Sequence, residues 1–168
     1  MTNLPKRAPA ATVFPDDAAL RIGPSRVTIL RDSWCAGVAQ HDFESIGEGI
    51  VAYDLAPHLA APRRLHWHTR ESWTGTVLDG ALTVRLADHD EVLQRGATIR
   101  VPAYCPFAWS NPGDMPARVV FTYSPGGFEN YFREIAALLG AHPGLNLRDI
   151  APQLPALWLR YGLEYEYC

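Results

Sequence analysis

The sequence predicts an all-β body, a sandwich or barrel of short strands, followed by C-terminal helices. Three observations support this fold class. Short runs of β-forming residues recur at turn spacings typical of sandwiches and barrels. The 14 prolines and 13 glycines are spread along the chain, as many turns require. After Gly126-Gly127 the apolar residues change from a period of two to helical spacing.

The predicted elements follow one another without a long linker. The stretch 16–22 is weakly patterned and is expected to hold one helical turn. Strands are predicted at 26–30, 50–55, 73–78, 81–87, 91–94, 96–102, 105–111 and 117–124, and a further short strand is predicted around His66 and His68. Helices are predicted at 128–140 and about 149–161. This order indicates an N-terminal arm over 1–20, a β-barrel over 21–127 and a helical cover over 128–168, within one domain of 168 residues.

Composition excludes several classes of partner. The net charge is −3 and no basic cluster is longer than Arg63-Arg64, which argues against nucleic acid and anionic membranes. No apolar run reaches the roughly 20 residues that span a bilayer. The three cysteines (Cys35, Cys105 and Cys168) lack metal-type spacing, so we expect reduced thiols in a cytoplasmic protein.

Two histidines two residues apart are the strongest chemical signal in the chain. Side chains at i and i+2 of a strand lie on the same face, so His66 and His68 are expected to be close together. Such a pair can contact one metal ion or one substrate molecule. The following Asp79-Gly80 predicts a tight hairpin turn, because glycine adopts positive φ without steric cost.

The spacing around these histidines resembles the two sequence motifs of the cupin superfamily over about residues 49–128. The matching residues are His66, His68 and Gly80 for the first motif, and Gly96, Pro102 and Asn111 for the second. The amino-acid sequence at 117–120 and 124–128 is similar to that of the quercetin dioxygenase-like branch of the superfamily. The resemblance implies a cupin jelly-roll barrel, often dimeric, with a small-molecule site inside. In most members that site binds iron, manganese, nickel or zinc through three histidines and one glutamate.

Two of the four ligand positions implied by the resemblance carry other residues. The motif spacing places the glutamate at 73 and the third histidine at 107, where this chain has Trp73 and Phe107. Neither ring can coordinate a metal, so we expect no metal and no other cofactor. Gly75, two residues after Trp73 on the same strand face, is small enough to leave room for the indole. Glu71 is the one candidate for a replacement carboxylate ligand; otherwise it is expected at the rim, paired with an arginine.

The remaining candidate residues are aromatic. We expect Trp73, Tyr104, Phe107 and Trp109 to converge with the two histidines on one interior cavity that binds an apolar or aromatic small molecule. Plain core packing is the alternative interpretation of these rings. The histidines would transfer protons, with Glu71 or Tyr104 as a third member of the set.

The functional hypothesis is a metal-independent cyclase, isomerase or lyase of specialised metabolism. One alternative is a metal-dependent dioxygenase that uses His66, His68 and Glu71. Another is a non-catalytic cupin that binds a small molecule. A homodimer is also expected, because an open jelly roll has strand edges to cover, and the early strands 26–30 and 50–55 are the candidate interface elements.

Overall fold

Two antiparallel β-sheets share one hydrophobic core and form the barrel. The computed structural model describes residues 19–32, 47–60, 64–141 and 147–166, so the predicted arm over 1–20 lies almost entirely outside the described residues. The six-stranded sheet has the order β1-β2-β3-β10-β5-β8, and the five-stranded sheet has the order β11-β4-β9-β6-β7. The strands are β1 (Leu20–Ile22), β2 (Ser25–Arg31), β3 (Gly49–Leu55), β4 (His66–His68), β5 (Ser72–Asp79), β6 (Ala81–Leu86), β7 (Asp90–Gln94), β8 (Thr98–Val101), β9 (Phe107–Ser110), β10 (Ala117–Ser124) and β11 (Leu163–Tyr165).

The core lies between the sheets because each long strand alternates buried and accessible residues. In β10, Ala117, Val119, Phe121 and Tyr123 are buried, and the residues between them are not. The strand β3 shows the same period of two along its whole length. This alternation is what the sequence predicted, and the all-β jelly-roll prediction is confirmed.

Two helices follow the barrel, as predicted. The helix α1 (Glu129–Gly140) buries Phe132 and Ile135 and contacts β1. A 3₁₀ turn at Ala151–Gln153 leads into α2 (Leu154–Tyr161), which ends at Gly162 in the left-handed conformation. No helix in the described part of the chain is long and apolar enough to cross a membrane.

Two predicted features of the fold need correction, and one strand was missed. Residues 20–22 form the strand β1 instead of a helical turn, because Gly23 adopts a φ of 60° and allows a hairpin with β2. The strand β11 was not predicted, since three residues are too short to show a period. The strand β3 pairs with β2 on one side and β10 on the other, so it offers no free edge to a second copy. The homodimer itself stays a prediction.

A buried glutamate joins the start of α1 to the start of β3. Glu129 is fully buried, and its carboxylate accepts a hydrogen bond of 2.8 Å from the backbone N–H of Gly127. A Cβ atom added at Gly49 would overlap this carboxylate. The absence of a side chain at Gly49 therefore allows the helix to pack directly on the strand.

We expect Gly49→Ala to lower the free energy of unfolding by about 1–3 kcal/mol, because the added methyl forces the buried carboxylate to move. The matched control is Gly140→Ala, since a Cβ there meets no atom within 4 Å and alanine favours a helix. Thermal unfolding measures both variants. Equal melting temperatures for the two would contradict this account of the helix contact.

Candidate functional site

A cavity of about 220 Å³ lies inside the barrel. Aromatic rings and two histidines form most of its wall, and none of its described lining residues is Lys, Arg, Asp or Glu. The barrel is therefore not completely filled by its own side chains. The ring-bearing residues are Tyr53, His66, His68, Trp73, Phe107, Trp109, Phe121, Tyr123, Phe128, Tyr131, Phe132 and Tyr165.

His66 and His68 lie on the inner face of β4, as their spacing predicted. The side chains are buried, at 9% and 4% exposure, and their ring centroids are 5.9 Å apart. β4 is held between β9 and β11, where His66 lies opposite Phe107 and His68 lies opposite Leu163. This pairing on both sides fixes the direction of the two imidazoles.

The carboxylate of Glu71 hydrogen-bonds Nδ1 of His68 inside the protein. Glu71 is only 4% exposed, so the prediction of a carboxylate at the rim is wrong. The turn that returns Glu71 to the His68 ring is fixed by Thr69, whose backbone N–H and Oγ1 both donate to the carbonyl of Gly162, at 2.8 and 3.1 Å. A signal for this contact was the i, i+3 spacing of His68 and Glu71, but sequence alone does not show which way the turn folds.

The contact with Glu71 orients the imidazole of His68. When Glu71 is ionised its carboxylate can only accept a hydrogen bond, so the proton in this bond lies on Nδ1. In the neutral imidazole, Nε2 of His68 then carries a lone pair. Among the described residues Nε2 has no hydrogen-bond partner, and the ring lines the cavity. The arrangement is that of a base held by an acidic group, which is used in nucleophile and proton-transfer chemistry.

His66 is electrostatically different from its neighbour. Burial, and secondarily the proximity of His68, lower the pKa of His66 to about 3. Its ring packs on Phe107 at 4.2 Å and stacks on Tyr165 at 5.3 Å, and its Nδ1 has no hydrogen-bond partner in the described structure. His66 is therefore neutral at pH 7 and is a weak base, so it is poorly suited to the proton transfer predicted for it.

Trp73 and Phe107 are packed against each other in the wall of the cavity. Both are almost fully buried, and their ring centroids are 4.8 Å apart. A Cβ atom at Gly75 would lie 3.0 Å from Cζ3 of Trp73 and 3.1 Å from Cε1 of Phe121. The prediction that Gly75 leaves room for the indole is thus confirmed. The indole N–H of Trp73 is buried and has no partner among the described residues.

The other two predicted aromatic residues behave differently from each other. Trp109 lines the cavity, with its ring 5.3 Å from that of Tyr53. Tyr104 is 68% exposed, so the prediction that it lines the cavity is wrong. It lies in the turn before β9 with a φ of 64°, and its backbone N–H donates to the carbonyl of His68. The backbone of Tyr104 holds β4 while its side chain points away.

Several cavity residues were not predicted as part of the site. Phe121 and Tyr123 alternate with polar residues on β10, and this period of two could have placed them on the inner face. Phe128, Phe132 and Tyr131 come from the start of α1, and Tyr165 comes from β11. Burial raises the pKa of Tyr131 to about 12 and raises that of Tyr123 well above its ordinary value. Their hydroxyl groups therefore stay protonated.

The residues do not fit the metal centre that the fold family implies. The described residues contain no group of three or more His, Cys, Asp and Glu side chains placed to hold one ion. Glu71 directs its carboxylate to His68 as a hydrogen-bond acceptor, and the positions of the two other implied ligands hold Trp73 and Phe107. Protein metal sites use about three or four ligands, and here only two imidazoles are adjacent.

Comparison with known proteins identifies the family. The family model described as a cupin domain matches residues 52–123. Residues 52–123 are therefore a cupin domain, as the motifs predicted. A search of curated proteins finds no match. The quercetin dioxygenase-like branch stays a prediction.

Solved structures share the fold at low sequence identity. An RmlC-like cupin from Shewanella frigidimarina aligns with a TM-score of 0.53 and 18% identity, covering 71% of this chain and 93% of that chain. A protein called a sugar phosphate isomerase from a cupin superfamily, from Silicibacter pomeroyi, has a TM-score of 0.52 and 19% identity, with 67% and 74% covered. A Cupin 2 conserved barrel domain protein from Salinispora arenicola has a TM-score of 0.50 and 17% identity, with 68% and 88% covered. These similarities concern the fold.

The lowered pKa of His66 predicts acid sensitivity. In the unfolded chain His66 binds a proton below pH 6.5, whereas in the folded protein it does so only below about 3. Protonation of His66 therefore stabilises the unfolded state as the pH falls between these values. Between pH 7.5 and pH 5 this group should lower the free energy of unfolding by about 2 kcal/mol. The titratable groups against the ring are His68 and Tyr165.

The measurement is the free energy of unfolding in denaturant at several pH values, for the protein and for His66→Gln. The variant lacks the imidazole, so its stability should fall less steeply over this range. The same slope in both proteins would show that His66 is not held neutral by burial.

Proposed function

We propose that this cupin is a metal-independent enzyme that acts on an apolar or aromatic small molecule inside the barrel. The reaction is of the cyclase, isomerase or lyase type, in which the key step is proton transfer to or from carbon, in keeping with a role in specialised metabolism. His68 is the catalytic base, Glu71 is its positioning residue, and the rings of the cavity hold the substrate.

The single observation that carries this proposal is the buried hydrogen bond between His68 and Glu71. It leaves Nε2 of His68 as an acceptor on a ring that lines the cavity. A positioned base of this kind contributes about 10²- to 10⁴-fold to a proton-transfer step. His66 is neutral and takes a binding role in this proposal, since it is too weak a base to accept the proton.

The wall of the cavity supports the proposed class of substrate. Aromatic side chains attract apolar and ring-shaped molecules and orient them by edge and face contacts. Trp73, Phe107 and Phe121 form one continuous group of rings, with centroid distances of 4.8 and 5.4 Å. Rigid placement of a substrate against the base is itself a large part of catalysis.

Two other functions are distinguished by experiment. In a metal-dependent dioxygenase, His66, His68 and Glu71 would all have to bind one ion, which requires Glu71 to leave His68. In a non-catalytic binding cupin, ligands would occupy the cavity without chemical change. Metal content and isotope exchange separate both from the proposed enzyme.

The test is solvent isotope exchange with a set of uncharged aromatic and alicyclic carbonyl compounds in D₂O, read by mass spectrometry. We expect the dialysed, chelator-treated protein to introduce deuterium into at least one compound. His68→Ala should abolish the exchange, and Glu71→Gln should slow it by about 10²-fold or more, because the amide can hold Nδ1 in the wrong tautomer.

Three outcomes would contradict the proposal. The first is exchange that appears only after iron, manganese, nickel or zinc is added, which would show that the site depends on a metal. The second is exchange that survives His68→Ala. The third is binding of these compounds in the cavity with no exchange, which would favour the non-catalytic cupin. Thermal unfolding of His68→Ala and Glu71→Gln shows that each variant is folded.

A further inference from the structure

Two ring nitrogens on cavity residues have no hydrogen-bond partner in the described structure. They are Nε1 of Trp73 and Nδ1 of His66, and both residues are at least nine-tenths buried. Both rings pack on Phe107, with centroid distances of 4.8 and 4.2 Å, so they belong to the same part of the wall. An indole N–H can only donate, and a buried donor without an acceptor costs about 1–3 kcal/mol. An acceptor on a bound molecule removes this cost.

The cavity also lacks groups that would neutralise a charged ligand. None of its described lining residues is Lys or Arg. His66 stays neutral because its pKa is lowered to about 3, and the hydroxyl of Tyr131 stays protonated because burial raises its pKa to about 12. His68 is already paired with the carboxylate of Glu71, so a phosphate or carboxylate group placed here would be a buried charge without a cationic partner of its own, which is strongly unfavourable.

The size of the cavity limits the ligand further. A dry protein cavity of about 150 Å³ is large enough to hold benzene. The cavity of about 220 Å³ in this barrel has space for one ring with a small substituent.

We propose that the cavity selects an uncharged, single-ring compound whose oxygen atom accepts a hydrogen bond from the indole N–H of Trp73. Trp73 is then a specificity-determining residue as well as part of the wall. This inference rests on the proposed function, because it requires that a small molecule binds in the barrel.

The test compares three probes that have the same ring and the same number of heavy atoms. Acetophenone carries a neutral oxygen acceptor, isopropylbenzene carries none, and benzoate carries a negative charge. The ¹⁵N–¹H spectrum of the protein reports the indole N–H of Trp73 directly, and its signal is the one that is absent in Trp73→Phe. We expect acetophenone to move this proton signal downfield and isopropylbenzene to leave it without such a shift. Benzoate should bind at least about tenfold more weakly than acetophenone.

Affinities for two variants complete the test. Trp73→Phe removes the donor and keeps an aromatic ring. It should lower the affinity for acetophenone by about 3- to 10-fold, as expected for one hydrogen bond, and change the affinity for isopropylbenzene less than twofold. The control Trp109→Phe removes another indole from the same cavity and should affect the two neutral probes equally. If Trp73→Phe does not fold, the indole signal is assigned by through-bond NMR correlations in the unaltered protein, and its shift with acetophenone decides the question.

The outcomes separate this inference from the proposed function. An indole signal that acetophenone does not move, an equal effect of Trp73→Phe on both neutral probes, or benzoate binding as tight as that of acetophenone would each overturn the inference alone. Failure of all three probes to bind would overturn it together with the proposed binding cavity.

Discussion

The hydrogen bond between His68 and Glu71 is the interaction on which the site depends. A carboxylate that is 4% exposed needs a partner inside the protein, and the imidazole provides it. Other parts of the fold maintain this contact. The C-terminal end of α2 fixes Thr69 in the preceding turn, and β11 pairs with β4 beside His68. The cover at the C-terminus is therefore part of the site, although it follows the barrel in sequence.

A second constraint is the space between the two sheets. The indole of Trp73 fits because Gly75 has no side chain, and Phe107 completes the contact from the opposite sheet. These two rings stand at the positions where the cupin motifs imply a glutamate and a histidine. Aromatic rings therefore stand at both positions, and none of the described lining residues of the cavity is Lys, Arg, Asp or Glu. In the function that we propose, Glu71 orients the imidazole of His68 in this interior.

The sequence predicted the fold well because long strands and helices carry a visible period. The inward direction of the two histidines followed from the same rule. So did the prediction that Gly75, two residues after Trp73 on the same strand face, leaves room for the indole. The failures occurred where no period exists. Tyr104 was expected in the cavity because of its place in the second motif, but it lies in a turn that precedes β9, where no period gives the direction of a side chain. The three-residue strand β11, which brings Tyr165 onto His66, is too short to recognise.

Glu71 was identified from sequence, but its contact depended on three-dimensional folding. Because Glu71 is two residues before Trp73, one expectation was that it points inward as a metal ligand. The other was that this charged residue lies at the rim of the barrel. The turn from Thr69 to Glu71 instead brings the carboxylate to Nδ1 of His68. The surrounding backbone decides which group a carboxylate such as that of Glu71 contacts. The spacing of residues in the sequence does not describe that backbone.

The most direct measurement of the central claim is the tautomer of His68, read from long-range ¹⁵N–¹H correlation of the imidazole nitrogens near neutral pH. The spectrum of His68→Gln identifies the signals. This account predicts a proton on Nδ1 and a lone pair on Nε2 of His68, with that preference lost in Glu71→Gln. A proton on Nε2 of His68 in the unaltered protein would contradict its assignment as the base.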